Sequence, residues 1–158
     1  MDRRRAPVRT STTQPVDVIE LQTAVLRRNV EMVRRRGEVY VELDPAEYLL
    51  LRTLDDLGPM DIRTLASAVG VDPSTAGRQI GAMHAAGFVD RAPAAEDRRR
   101  TIISVTAEGL RRTEAVRDRR RENIRELLED WSPEDLETLG VMFGRYNAAV
   151  SDRYVTHT

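Results

Sequence analysis

The sequence contains no cysteine and no lysine. Without thiols there is no disulfide, no thiolate metal site, no cysteine nucleophile and no cysteine-based redox switch. Long apolar runs are missing too, so neither a signal-peptide core nor a membrane span is expected, and a soluble cytoplasmic protein without a membrane partner follows. Histidine is scarce: His84 and His157 alone furnish a zinc site poorly, and no metal is expected. The sequence shows no Ser/His/Asp set, no glycine-rich phosphate loop and no histidine pair at metal spacing. An enzyme and a cofactor are therefore not expected. The formal net charge of −1 rules out a general polycation, so any attraction to an acidic partner has to come from local clusters.

Such clusters are present. All 25 basic residues are arginine, a bias that genome composition explains and that also supplies planar forks suited to phosphate and guanine. A chain of 158 residues, 41% hydrophobic, builds one ordinary core with helical extensions, so a single domain, 1–158, is expected. Residues 1–14, rich in Arg and Thr, read as a flexible basic arm.

From Val16 to Arg36 the positions Val18, Leu21, Val25 and Met32, flanked by Ile19, Leu26, Val30 and Val33, trace a helical stripe. Gly37 ends it. Asp44, Pro45 and Glu47 then give a cap, a first-turn proline and an acid three residues past the cap, with Leu43 and Tyr48 placed as a hydrophobic staple. This second helix stops near Gly58-Pro59. Asp61 caps a short third helix carrying Ile62, Leu65, Ala66 and Val69, which Gly70 closes, and Asp72-Pro73 opens a fourth almost at once. Two short helices across so tight a turn make a helix-turn-helix. Two β-rich runs around a polar tip follow it, residues 88–91 and 101–105, and read as a hairpin wing. Thr106 caps a fifth helix, polar all round at residues 117–123, that runs toward Trp131. Ser132-Pro133 starts a last one with Leu136, Leu139, Phe143, Tyr146 and Val150 on one stripe. The fold class is mainly α with a small β-hairpin wing, a winged helix-turn-helix with dimerisation helices at both chain ends: 15–43 and 106–156 against 44–105. The terminal helices carry more apolar surface than so small a head can cover, which points to a homodimer.

With Ala76, Ile80 and Met83 turned inward, a helical wheel puts Ser74, Thr75, Arg78, Ala82 and Ala85 on the outer side of the fourth helix. Polar residues at the N-terminal end and small ones beyond it are what a helix entering the major groove of double-stranded DNA requires. Arg78 suits a bidentate contact to guanine, Ser74 and Thr75 suit phosphates or bases, and Gln79, at the edge of the face, suits adenine. An ordinary solvated face has the same composition. Gly77 and Gly81 weigh against it, since each glycine costs about 1 kcal/mol inside a helix, and close approach to the third helix or to a phosphate would justify them. At the hairpin tip Arg98, Arg99 and Arg100 repel one another and suit a partner that neutralises them, with Asp97 orienting a neighbouring arginine. The same arginines would equally serve a winged helix that binds an acidic protein without specific DNA binding.

These residues resemble the MarR family of multiple antibiotic resistance regulators. The resemblance is carried by LASAVGVDPSTAGRQIGAMHAAGFVDR and by EDRRRTIISVTAEG, where Asp97, Arg99, Thr106 and Gly109 fall on the family's wing pattern. It implies a triangular homodimer with each fourth helix in a major groove and each wing in the adjacent minor groove, acting as a repressor on a pseudo-palindromic operator. It also implies a small-molecule effector site bounded by the first, second and fifth helices, with Met32, Tyr40, Tyr48 and Arg52 as lining residues, positions that ordinary core or interface packing would equally account for.

Overall fold

A computed structural model describes residues 14–154, the Glu38 side chain excepted. The expected basic arm, Gln14 aside, and His157 lie outside the described residues. The chain divides into two compact units, one up to Gly37 and one from Glu38 onward.

The first unit is helix α1, Pro15–Arg36. Its backbone starts at Gln14, whose amide donates to Asp17 Oδ2 at 3.0 Å, and ends where the Gly37 amide donates to Val33 O at 2.8 Å. None of its residues is buried, and Val16, Val18, Ile19, Leu21, Leu26, Val30 and Met32 are exposed. An amphipathic helix with its apolar stripe open lacks the burial that normally stabilises helices in proteins.

The second unit runs through a 3₁₀ turn at Glu38–Tyr40, α2 (Pro45–Leu57), β1 (Met60–Asp61), α3 (Ile62–Val69), α4 (Pro73–Ala85), β2 (Val89–Pro93), β3 (Thr101–Val105), α5 (Ala107–Leu127) and α6 (Pro133–Tyr154). The expected caps form. Asp44 Oδ1 accepts from the amides of Ala46 and Glu47 at 2.8 and 2.9 Å, while Glu47 reaches back to the Asp44 amide at 3.0 Å. Thr106 Oγ1 accepts from Gly109 N at 3.0 Å, and Ser132 Oγ from Asp135 N at 3.1 Å. Each satisfies donors that a helix start leaves without partners.

The core gathers Leu43, Tyr48, Leu50, Leu51 and Leu54 of the α2 region with Leu65 of α3, Ile80 and Met83 of α4, Val89 and Ile103 of the sheet and Val116 of α5. Leu43 and Tyr48, the predicted staple, are both buried in it. The sheet is antiparallel in the order β1-β3-β2, so the hairpin predicted from sequence gains a third strand. Met60 pairs with Ile103 and Asp61 with Ile102. Pro93 closes β2 at the sheet edge, where a residue without an amide proton breaks no ladder.

Gly109 is the glycine on which the packing depends. A Cβ there would collide with the Phe88 carbonyl oxygen and come within 2.9 Å of Val105 Cγ2. The predicted need for glycine inside α4 is not met among the described residues. Among the described residues, and apart from the adjoining backbone of α4 itself, nothing lies within 4 Å of a Cβ built on Gly77, and one on Gly81 meets Arg91 Nη2 at an ordinary 3.7 Å. No residue of α6 is buried, and Phe143, Tyr146 and Val150 stay exposed.

Candidate nucleic-acid interface

Helices α3 and α4 are joined by Gly70, Val71 and Asp72. Gly70 adopts φ 75°, ψ 36°, a left-handed conformation that glycine reaches without steric cost, and the amides of Gly70 and Val71 both donate to Ala66 O, at 2.9 and 3.0 Å. This turn fixes α4 against α3. Ala76, Ile80 and Met83 are buried and Ser74, Arg78, Ala82 and Ala85 are exposed, as the wheel predicts; Thr75 is half-buried.

The polar end of α4 is organised around Asp72. Its Oδ1 accepts from Ser74 N at 2.9 Å, Thr75 N at 3.0 Å and Ser74 Oγ at 2.5 Å, and its Oδ2 accepts from Thr75 Oγ1. The Ser74 hydroxyl, followed by that of Thr75, holds the Asp72 carboxyl far below the usual carboxylate range. Arg78 Nη2 in turn donates to Thr75 Oγ1 at 3.0 Å. The hydroxyl protons of Ser74 and Thr75 are thus engaged by Asp72, so donation to the phosphates or bases that the sequence reading assigned them would have to replace these bonds. Gln79 is also corrected. Its Oε1 is buried without a hydrogen-bond partner among the described residues, so the paired acceptor and donor that adenine requires do not both face outward.

At the hairpin tip the Arg100 amide donates to Asp97 O at 2.9 Å and the Arg99 amide to Asp97 Oδ1 at 3.0 Å. Asp97 therefore shapes a β-turn through the backbone, where an aspartate at the first position is favoured. It does not orient a guanidinium by hydrogen bonding, as the sequence reading had it. Arg98 and Arg99 become the two central residues of that turn. Among the described residues their guanidinium groups have no hydrogen-bond or ion-pair partner.

Arg100 differs. Its Nη2 is bonded to Asp61 Oδ2, and Asp61 Oδ1 accepts from Thr64 N at 2.9 Å as the cap of α3. The Thr64 amide and then Arg100 pull the Asp61 carboxyl down to about 2. So one of the three expected wing cations is already neutralised. Beside this pair lies an open depression of about 430 Å³ lined by Asp61, Ile62, Arg63, Arg99, Arg100 and Thr101. Asp61 and Asp72 are signalled in sequence only as caps, and their pairing with side chains of the reading surface was not anticipated.

The predicted effector-lining residues are brought together only in part. Tyr40 and Tyr48 meet at Arg120 of α5, whose guanidinium carbon lies 5.4 and 5.2 Å from their ring centres and whose Nη1 donates to the Tyr40 hydroxyl. Burial lowers the Arg120 pKa. Arg52 is instead tied to its own helix, 3.0 Å from Asp55 and 2.9 Å from Asp56, the ordinary fate of an arginine with acids three and four residues on. Met32 belongs to the α1 unit and is exposed. His84 shares a contact of 2.9 Å between Nδ1 and Val89 O. No group of acids and histidines suited to a metal occurs among the described residues, and none of their helices is long and apolar enough to cross a membrane.

The model of the MarR family matches residues 43–101, the helix-turn-helix and the hairpin up to the start of β3. YxaD of Bacillus subtilis (strain 168), named as an HTH-type transcriptional regulator, is 32% identical over 142 residues, which take in 87% of this chain and 96% of the relative. Two solved structures share the fold. The PcaV transcriptional regulator from Streptomyces coelicolor, in complex with its natural ligand, gives a TM-score of 0.67 at 21% identity over 92% of this chain and 99% of its own. A MarR protein from Peptoclostridium difficile gives 0.71 at 16% identity over 95% and 97%. A relative matched over nearly its whole length and a family model centred on the reading head lead to one conclusion: the chain belongs to the MarR family of DNA-binding transcriptional regulators.

Proposed function

We propose that the protein is a homodimeric repressor that binds a pseudo-palindromic operator, with α4 of each protomer in a major groove and each wing in the neighbouring minor groove. The observation that carries this reading is the pair Arg98 and Arg99, presented at the centre of an ordered turn with no partner among the described residues. Two guanidinium groups on a hydrogen-bonded turn, without partners among the described residues, suit a minor groove, whose width sets its negative potential. On α4, Arg78 is the guanine reader, and Ser74 and Thr75 support it. The open apolar stripes of α1 and α6 are the surfaces that a second copy would cover.

Release by a small molecule fits the Arg120 cluster better than the set of residues predicted for it. A half-buried guanidinium faced by two tyrosines and bonded to no carboxylate among the described residues suits a small anion that carries an aromatic ring. PcaV, of the same fold, has been solved with its natural ligand.

Footprinting on the DNA upstream of the protein's own gene, over a salt series and against random duplex, tests the proposal. Expected is a symmetric protected site with half-sites about one helical turn apart, and an affinity that falls steeply with salt while preference for the site persists. Equal affinity for random duplex would overturn it in favour of an acidic protein partner.

A further inference from the structure

The start of α4 holds a directed chain of hydrogen bonds. A threonine hydroxyl has one proton and two lone pairs. At Thr75 the proton goes to Asp72 Oδ2, so what faces Arg78 is a lone pair, and Arg78 Nη2 donates to it at 3.0 Å. The direction of the chain is fixed because Asp72 is held ionised by Ser74 and Thr75, and an ionised carboxylate only accepts. The Thr75 amide is separately bonded to Asp72 Oδ1 at 3.0 Å, so the capping of α4 does not depend on the Thr75 hydroxyl.

We infer that Thr75 is a positioning residue for sequence recognition: its hydroxyl, aimed by Asp72, holds the Arg78 guanidinium on the outer face of α4 so that the free N–H groups meet one guanine. This rests on the operator-binding reading above. A guanidinium has five N–H donors in a rigid fork, and one bond to Thr75 leaves enough of them for a bidentate contact. An exposed arginine otherwise distributes over many rotamers and has to be ordered at the moment of binding. Thr75 thus acts on specificity through Arg78 and touches no base itself.

The test uses the full-length protein, the duplex protected by the wild type, and versions of that duplex carrying each single base-pair change in one half-site. Thr75→Val keeps the size, the β-branching and the amide bond to Asp72 and removes only the hydroxyl; Thr75→Ser restores the hydroxyl. Thr75→Val is expected to reduce the preference for guanine at one position by about 3- to 10-fold, the worth of one hydrogen bond. Thr75→Ser should keep that preference, and both variants should keep the wild-type salt slope. In an Arg78→Ala background, Thr75→Val should change discrimination no further, because the two residues act in series. The inference is overturned if Thr75→Val retains full preference, if Thr75→Ser loses as much as Thr75→Val, or if the valine effect persists without Arg78. A wild type that prefers no sequence overturns instead the operator-binding reading on which the inference stands.

Discussion

Alanine placed at two glycines, Gly77 and Gly109, should move stability in opposite directions. Both are helical, and replacing an interior helical glycine by alanine stabilises by about 1 kcal/mol because the unfolded chain has less freedom to lose. At Gly77 a Cβ meets nothing within 4 Å, so Gly77→Ala should show that gain undiminished. At Gly109 a Cβ collides with the Phe88 carbonyl oxygen and lies 2.9 Å from Val105 Cγ2 and 3.0 Å from the Phe88 carbonyl carbon. Two of these atoms are backbone, and the Phe88 carbonyl is also held by the Thr106 amide at 3.0 Å, so it cannot swing aside as a flexible side chain would. Overpacking of this kind costs about 1–3 kcal/mol and sometimes more. Set against that gain, the net effect of Gly109→Ala is a loss of up to about 2 kcal/mol, and the two variants should differ by about 1–3 kcal/mol. Urea unfolding at one fixed protein concentration measures this, provided the slope with denaturant is unchanged. Equal stabilities would refute the packing argument. Gly77→Ala carries a second expectation, tied to the operator-binding proposal: if α4 approaches a groove at Gly77, the more stable variant should bind all duplexes more weakly. Unaltered affinity would remove Gly77 from the interface.

Four further outcomes follow from the same geometry. Asp61 has a lower pKa folded, about 2, than its ordinary 3.8, so its stabilising contribution is complete above about pH 4 and lost as pH falls through 2. Asp61→Asn should flatten that part of the stability curve relative to wild type, and superimposable curves would contradict the pairing with Arg100. Arg99→Ala should lower the salt slope of DNA binding by about one unit, whereas Arg100→Ala, whose charge Asp61 already compensates, should lower it less; equal slopes would erase the distinction between the two residues. Arg78→Ala should cost about 1–3 kcal/mol of discrimination at a single base position, and a uniform loss on every sequence would reassign it to phosphate. Truncation before Ser132 removes α6 and should give monomers or aggregate by sedimentation, while a soluble dimer would exclude α6 from the interface.

What the sequence reveals and what it hides separate by distance along the chain. The caps at Asp44, Asp61, Asp72, Thr106 and Ser132 are legible because each is completed by an amide within three residues, a purely local signal. The inner and outer faces of α4 follow from helical periodicity alone. Strand β1 is invisible because two residues carry no periodicity and its partner, Ile103, lies far downstream of Met60. The same holds for Arg100 with Asp61, 39 residues apart, and for Arg120 with Tyr40, 80 apart. In sequence, Arg120 is one more charge in a polar helix. Arg52 is the opposite case: the acids three and four residues on are visible in the sequence, and the pairing within the helix is local. Among glycines, propensity singles out Gly77 and Gly81, yet the steric need lies at Gly109, where the crowding comes from the strand segment at Phe88.

Asp61 ends β1, begins α3 and binds the arginine at the return of the wing. A hairpin is commonly pictured as a flap hung on a helical body, free to find its own angle. Here β3 is paired with β1 along one edge, and the guanidinium of Arg100, which directly precedes β3, is bonded to Asp61, the cap of α3. The wing and the helix-turn-helix therefore share an anchor at Asp61. A displacement of α3 therefore bears directly on the return of the wing, because the cap of the one and the last arginine of the other meet at a single carboxylate.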